Sequence, residues 1–154
     1  MTRIDDRISE LGITLPAAKK PAFEYVAVAL HGNIAYVSGQ LPWIDAQNVI
    51  SGKVGADVDM ERAQEAARLC TLCALANLKN EIGSLDAVER ILKVTGFVAC
   101  APGFTAQPTV IDAASKLLGQ IFGEHGRHAR SAIGVAELPR GAAVEIEFIV
   151  ALHR

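Results

Sequence analysis

The sequence predicts an α+β fold in which two long helices pack on one face of a mixed β-sheet. Two segments, residues 59–82 and 107–123, carry apolar residues at the spacing of an amphipathic helix. The segments between and around them are rich in β-branched residues, which gives the order β-β-α-β-α-β-β. Two similar halves would each bury one helix against a shared sheet. The other sheet face then carries no helix, and with a mean hydropathy of +0.27 we expect it to pack against other subunits.

The first elements are a terminal arm and a hairpin. At 154 residues the chain fits one domain, and residues 1–21 are predicted to form an N-terminal arm with one short helical turn at most. A β-rich run from Tyr25 to Leu30 is followed by the turn signal His31-Gly32-Asn33. Ile34 to Ser38 is predicted as the second strand, and Gly39 to Gly55 as a loop.

The remaining boundaries follow from capping residues and from Gly and Pro. The first long helix is predicted from Asp59 to Ile82, with Asp57 or Asp59 as its cap and Gly83 at its end. Pro108 at a first-turn position starts the second helix, which Gly123 closes. The other predicted elements are a central strand from Ala87 to Cys100, a strand from Ser131 to Glu137, a turn from Leu138 to Gly141 and a last strand from Ala142 to Leu152.

Charge and composition exclude several classes of function. A formal net charge of -2 with scattered basic residues gives no positive surface for nucleic acid or for an anionic membrane. No apolar stretch reaches the length of a membrane span, and the charged N-terminus does not resemble a signal peptide, so a cytoplasmic location is predicted. Three cysteines cannot form a complete set of disulfides.

The common metal and phosphate motifs are missing. Cys70 and Cys73 form a CxxC pair, but it lies in the middle of a predicted helix, where two small buried residues are the better interpretation. The four histidines form no zinc-binding pattern, and no glycine-rich phosphate loop follows a strand. No metal site is predicted.

Arg130 and two glutamates are the charged residues whose positions suggest a role. Arg130 follows a loop rich in Gly and His and lies among small and apolar residues at the mouth of a predicted strand. Its planar guanidinium is suited to a carboxylate, although an ordinary solvated arginine is the alternative. Glu145 and Glu147 share one face of the last strand, which is typical of a solvated face, or places a carboxylate at a subunit boundary.

Two separated segments resemble a known family. His128-Ala-Arg-Ser-Ala-Ile-Gly-Val-Ala-Glu-Leu-Pro139, followed by Val144-Glu-Ile-Glu147, is similar to the C-terminal signature of the Rid family. Tyr36-Val-Ser-Gly-Gln-Leu-Pro42 is similar to a second motif of these RidA/YjgF reactive-intermediate deaminases, also labelled endoribonuclease L-PSP. The resemblance spans residues 21–154, and the arm and longer first loop resemble a larger subgroup.

The resemblance implies a fold, an assembly and a reaction. The fold would be chorismate-mutase-like, and three copies would form a homotrimer with clefts between neighbouring subunits. Family deaminases hydrolyse reactive 2-imino acids to 2-keto acids and ammonia, and they need no cofactor or metal. The expected partner is therefore a small carboxylate or imino-acid metabolite.

The resemblance also assigns residues. Arg130 corresponds to the arginine that binds the substrate carboxylate, and Glu145 to the acidic residue that positions water or transfers a proton. A cysteine common in the family is replaced by Ala132, so no thiol chemistry is expected there. The implied substrate-binding positions are Tyr25, Ser38, Gly39 and, less directly, Asp112.

Three functions remain open at this point. The first is imine deamination by Arg130 and Glu145. The second is a non-catalytic binder or sensor of keto acids that uses the same cleft, reshaped by the loop of residues 43–56. The third is RNA cleavage, which the negative net charge disfavours.

Overall fold

A computed structural model describes residues 3–154. The chain starts with helix α1 (Ile4–Glu10) and then forms the hairpin of β1 (Val28–His31) and β2 (Ile34–Gln40). Two units of one helix and one strand follow. The elements of these units and the last strand are α2 (Met60–Ile82), β3 (Val88–Ala99), α3 (Gln107–Phe122), β4 (Ala129–Val135) and β5 (Val144–Leu152). After α1, the observed order is the predicted β-β-α-β-α-β-β.

The five strands form one mixed sheet in the order β1-β2-β5-β3-β4. Strands β3 and β4 are parallel, and the other neighbours are antiparallel. The central position belongs to β5, and β3 lies beside it, one place away from the predicted central position. The C-terminal strand, β5, therefore joins the two halves of the sheet.

Helices α2 and α3 cover one face of this sheet and pack against each other. The core between them consists of side chains that alternate along β5 and β3, and Val94, Phe148 and Ile146 are among its fully or almost fully buried members. Cys70 and Cys73 are buried in α2, as the sequence predicted. Burial raises the pKa of the Cys70 thiol, which agrees with a packing role.

Two predicted strand boundaries are wrong for identifiable reasons. Regular pairing of β1 with β2 stops at Val28 and Val37, because β2 carries a bulge immediately after that pair. Tyr25 therefore lies before the strand, while His31, predicted as turn, belongs to it. Strand β4 begins at Ala129 because parallel pairing with β3 starts there, and it ends at Val135.

The N-terminal arm contains more structure than one turn. Helix α1 has two turns, and Ile8 and Ile13 are buried in the common core. Two ion pairs fasten it to the body, from Arg3 to Asp86 at 3.1 Å and from Lys79 to Asp5 at 2.7 Å. The missed signal is the spacing of apolar residues in a short, charge-rich segment.

None of the helices in the described part of the chain is long and apolar enough to cross a membrane.

Asp59 caps α2, as predicted, and its removal has a calculable cost. Its side chain accepts a hydrogen bond from the backbone N–H of Arg62 at 2.8 Å. Asp59→Ala is expected to lower the free energy of unfolding by about 1 kcal/mol, because an N–H at the helix end loses its acceptor. Urea denaturation measures the change. Asp59→Asn preserves the cap and is the control; equal losses in both variants would contradict this account.

Candidate active site

Arg130 lies on β4 and points towards α3. Its Nη1 donates to Ser115 Oγ at 3.1 Å and to Asp112 Oδ1 at 3.4 Å, while Nη2 donates to the carbonyl oxygen of Pro108 at 3.4 Å. The side chain is 24% exposed and borders a shallow groove. Asp112, which the resemblance placed among the substrate-binding residues, contacts Arg130. The guanidinium is oriented by α3 but still faces solvent.

A serine and a histidine that sequence reasoning missed support this arginine. His128 Nδ1 lies 2.7 Å from the carbonyl oxygen of Gly126, which can only accept, so Nδ1 carries the proton. Nε2 is then the acceptor for the hydroxyl of Ser115 at 2.9 Å. Burial lowers the pKa of His128 below its usual value. The hydrogen bond to Gly126 raises this pKa, but the positive charge of Arg130 lowers it again, and the net shift is downward. The neutral imidazole therefore holds Ser115 in place for Arg130.

Glu145 lies on the opposite face of the sheet, against the bulge in β2. Pairing shifts between Val37 and Gln40, so two residues, Ser38 and Gly39, lie opposite one residue of β5. A Cβ atom at Gly39 would be 2.9 Å from Cδ of Glu145. A side chain at position 39 would displace this carboxyl group from its present place. Gly39 therefore lies directly beside Glu145.

The surroundings of Glu145 favour its protonated form. Burial raises the pKa of this carboxyl group, and the negative charge of Glu147 on the same face raises it further. No lysine or arginine contributes a lowering effect. A carboxyl group whose pKa is moved towards neutrality is suited to both accepting and donating a proton near pH 7.

Glu145 and Gly39 form one wall of a cavity of about 340 Å³. Tyr25 also lines it and is 56% exposed. Ser38 is adjacent, but its hydroxyl donates to the carbonyl oxygen of Val26 at 2.7 Å and so fastens the bulge. The remaining walls come from the arm, from the loop after β2 and from the turn before β5.

Three residues of this cavity were not predicted. Trp43 lines the cavity together with Lys19 and Arg140. Nζ of Lys19 is 3.2 Å from the centroid of the Trp43 ring, and Cζ of Arg140 is 4.9 Å from it. Arg140 has φ +59°, the one positive φ among non-glycine residues in the described range. These residues are distant in the sequence, and only the folded chain brings them together.

Arg130 and Glu145 do not meet within this chain. Val94 pairs with Arg130 on one side and with Phe148 on the other, so Glu145 is two strands across and three residues along from Arg130. Those steps separate their backbones by about 14 Å. The two side chains also leave opposite faces of the sheet. The two predicted catalytic residues therefore belong to two separate surfaces of the chain.

The chain matches a family model over nearly its whole length. Residues 5–149 match the family described as YjgF/chorismate mutase-like, putative endoribonuclease. A curated relative, Protein TCP17 of Trypanosoma cruzi, is 43% identical over 152 residues, which is 98% of this chain and 95% of the relative. A 2-iminobutanoate/2-iminopropanoate deaminase of Dermatophagoides farinae is 30% identical over 142 residues, 92% of this chain and 95% of that protein.

Solved structures agree with this match. The protein Atu1372 of Agrobacterium tumefaciens, whose function is described as unknown, is 46% identical and superposes with a TM-score of 0.88. The alignment covers 98% of this chain and 94% of that one. The fold and both sequence signatures thus agree, and this chain belongs to the YjgF/chorismate mutase-like family.

Proposed function

We propose that this protein hydrolyses reactive 2-imino acids to 2-oxo acids and ammonia. The observation that carries the proposal is Glu145, a half-buried carboxyl group with a raised pKa on the wall of a cavity that Gly39 opens. A relative with 30% identity is a deaminase of this kind.

Glu145 would supply the proton transfers of this reaction. Its carboxylate accepts a hydrogen bond from one water and aims it at C2 of a protonated imine. The resulting adduct then carries an amine, which leaves as ammonia after it takes up a proton. Glu145 takes the water's proton in the first step and returns it to the amine in the second. The departing ammonia carries off the hydroxyl proton of the adduct as ammonium, so the residue ends as it began.

Arg130 would bind the substrate carboxylate. Asp112, Ser115 and Pro108 occupy three of its five N–H donors, which orient the guanidinium. Two donors remain without partners in residues 3–154, and a carboxylate can accept both. A second subunit has to provide this arginine, since Glu145 of the same subunit is on the other sheet face. We therefore include a homotrimer with clefts between subunits in the proposal.

The uncovered sheet face is consistent with such an assembly. Tyr36 and Ile133 are about half exposed on it, and Ile149 and Phe97 are partly exposed between them. Four large apolar side chains on one face without a helix favour contact with another copy.

A trapping assay tests the proposal. An amino-acid oxidase generates 2-iminobutanoate in the presence of semicarbazide, and this protein is expected to lower semicarbazone formation by hydrolysing the imine first. Arg130→Ala is expected to lower the rate of imine hydrolysis at least about 100-fold, because the side chain that binds the substrate carboxylate is gone. Arg68→Ala, an exposed arginine on α2, is the control and should retain it. If wild-type protein leaves semicarbazone formation unchanged, the deaminase proposal is wrong and the cavity is a binding site for another carboxylate.

Mixed subunits test the shared cleft. Arg130→Ala and Glu145→Gln subunits, unfolded together and refolded as a mixture, would form some clefts with both wild-type residues. Activity is then expected to reappear in the mixture and to stay absent in each variant alone. A double variant refolded with wild type provides the reference, and a mixture that stays inactive would contradict a cleft shared between subunits.

A further inference from the structure

We propose that the Glu145 cavity selects substrates whose side chain ends in a second anionic group, so that 2-imino dicarboxylic acids are preferred over 2-imino monocarboxylic acids. This inference rests on the proposed deaminase function and names its substrate class. The cavity carries three cationic side chains, Lys19, Lys20 and Arg140, and one carboxyl group, Glu145. These three exposed cations outnumber the single carboxyl group, so the cavity favours a negative occupant.

The cations form no ion pairs in the described part of the chain, although Lys19 is close enough to Asp45 to help lower the pKa of that carboxyl group. Within residues 3–154, no carboxylate lies within ion-pair distance of any of the three. Lys19 donates instead to the carbonyl oxygen of Ala46 at 2.8 Å. Burial and Glu147 raise the pKa of Glu145 and none of these cations lowers it, so none of them pairs with this carboxyl group. The cavity thus has two poles.

Trp43 holds the cationic end in place. Both Lys19 and Arg140 lie within cation–π distance of its ring. Because the indole already has these two cations as partners, it is poorly available for stacking with an aromatic or apolar substrate side chain. The favoured occupant is an anion that the cations bind. The cavity volume alone would also admit an aromatic side chain, but the occupied Trp43 ring disfavours it.

The backbone at Arg140 supports the same conclusion. A positive φ is unfavourable for an arginine, and residues held in such conformations concentrate at binding sites. Here the conformation occurs in the turn Pro139–Gly141, directly before the strand that carries Glu145. The turn therefore fixes the spacing between the cationic pole and the glutamate.

The arm is tied to the same place through buried amides. Asn77 of α2 accepts from the backbone N–H of Lys19 at 3.1 Å and donates to Gln40 at 2.9 Å. Gln40 in turn donates to the carbonyl oxygen of Ser38 in the bulge at 3.0 Å. A chain of three hydrogen bonds thus joins Lys19 to the residues beside Glu145. The N-terminal arm is a wall of the site.

The substrate would span both poles. Its C1 carboxylate binds the partner subunit's Arg130, its C2 imine carbon faces Glu145, and its terminal carboxylate lies near Arg140 and Lys19. The reaction is unchanged: a 2-imino dicarboxylate and water give a 2-oxo dicarboxylate and ammonia. The inference changes only the class of imine, from monocarboxylic to dicarboxylic.

The inference is tested by comparing kcat/KM for two four-carbon substrates. Iminosuccinate, generated by an aspartate-oxidising flavoenzyme, differs from 2-iminobutanoate in a terminal carboxylate in place of a methyl group. We expect wild-type kcat/KM to favour iminosuccinate at least tenfold in the semicarbazide assay. Arg140→Gln is expected to reduce that ratio to near one, and Arg140→Lys to retain most of it. Arg68→Gln is the control for charge far from the cavity. A wild-type ratio of one or less, or a ratio unchanged in Arg140→Gln, overturns the inference while the deaminase function stands.

A binding measurement separates this inference from the proposed function. Calorimetric titration compares 2-oxoglutarate with 2-oxopentanoate, which differ in the same terminal group and need no turnover. At least tenfold tighter binding of 2-oxoglutarate, lost in Arg140→Gln, supports the anionic specificity even if neither imine is hydrolysed. Equal affinities, or no binding of either acid, overturn it.

Discussion

Glu145→Gln is expected to lower imine hydrolysis by at least about 100-fold while it makes the folded protein more stable near pH 7. Glutamine has nearly the same shape but cannot take a proton from water or return it. The stability gain has a different cause: burial and Glu147 raise the pKa of Glu145, so ionising it in the folded state costs free energy. The variant removes this cost. Loss of activity with gain in stability is the signature of a group held in an unfavourable state for function.

The pH dependence of that gain has a definite sign. The folded protein binds the Glu145 proton more tightly than the unfolded chain does, so stability falls as pH rises above the unfolded pKa of about 4.3. The difference in unfolding free energy between variant and wild type should therefore vanish below pH 4 and be fully present once pH exceeds the folded pKa. Thermal denaturation from pH 4 to 8 measures it.

Glu147→Gln is the matched control, since Glu147 lies two residues further on the same face but is exposed. It should retain activity. It should also lower the pKa of Glu145, because a neighbouring negative charge is removed. The acidic limb of the variant's activity profile should therefore lie at lower pH than that of wild type. Equal activity losses in both variants would remove Glu145 from the mechanism.

Gly126→Ala is expected to cost about 3 kcal/mol of unfolding free energy, a loss at the upper end for overpacking. A Cβ at this position would overlap the carbonyl oxygen of Leu118 and lie 2.8 Å from its carbonyl carbon. Both are backbone atoms of α3, so no side-chain rotation can relieve the overlap. The turn Gly123–Gly126 or the helix would have to move.

Gly119→Ala provides the comparison, because a Cβ there would meet nothing within 4 Å. Within helix α3 that change is expected to stabilise by up to about 1 kcal/mol. Chemical denaturation of both variants gives the difference. Gly126→Ala should also weaken imine hydrolysis, because the carbonyl oxygen of Gly126 holds His128 and, through Ser115, Arg130. Two variants of equal stability would contradict the contact argument.

Local sequence signals determined the order of elements. Asp59 and Gly83 bound α2 because a cap and a helix end depend on residues within one turn. The alternation in β5 likewise identified its buried face, since adjacent side chains point to opposite sides. The arm was underestimated, because its helix is stabilised by contacts with Asp86 and Lys79, more than 70 residues away.

The residues of the site were partly predicted, but the contacts between them were not, because those contacts join distant segments. Arg130, Glu145, Gly39 and Tyr25 were identified through a resemblance, and their roles stay predictions until the assays are done. Their arrangement was not available from it. Ser115 and His128 come together across α3 and the following turn, and Trp43 meets Lys19 and Arg140 from three distant segments.

The sequence by itself determined the α+β class, the order of strands and helices, the buried faces of the two long helices and of β5, and the two signature segments, because periodicity and capping act over a few residues. Only the tertiary structure decided that Gly39 of a bulge lies beside Glu145, that Arg130 and Glu145 leave opposite faces of the sheet, and that three cations and Glu145 line one cavity. Those properties depend on strand register and on contacts between remote segments, which the spacing of residues along the chain does not encode.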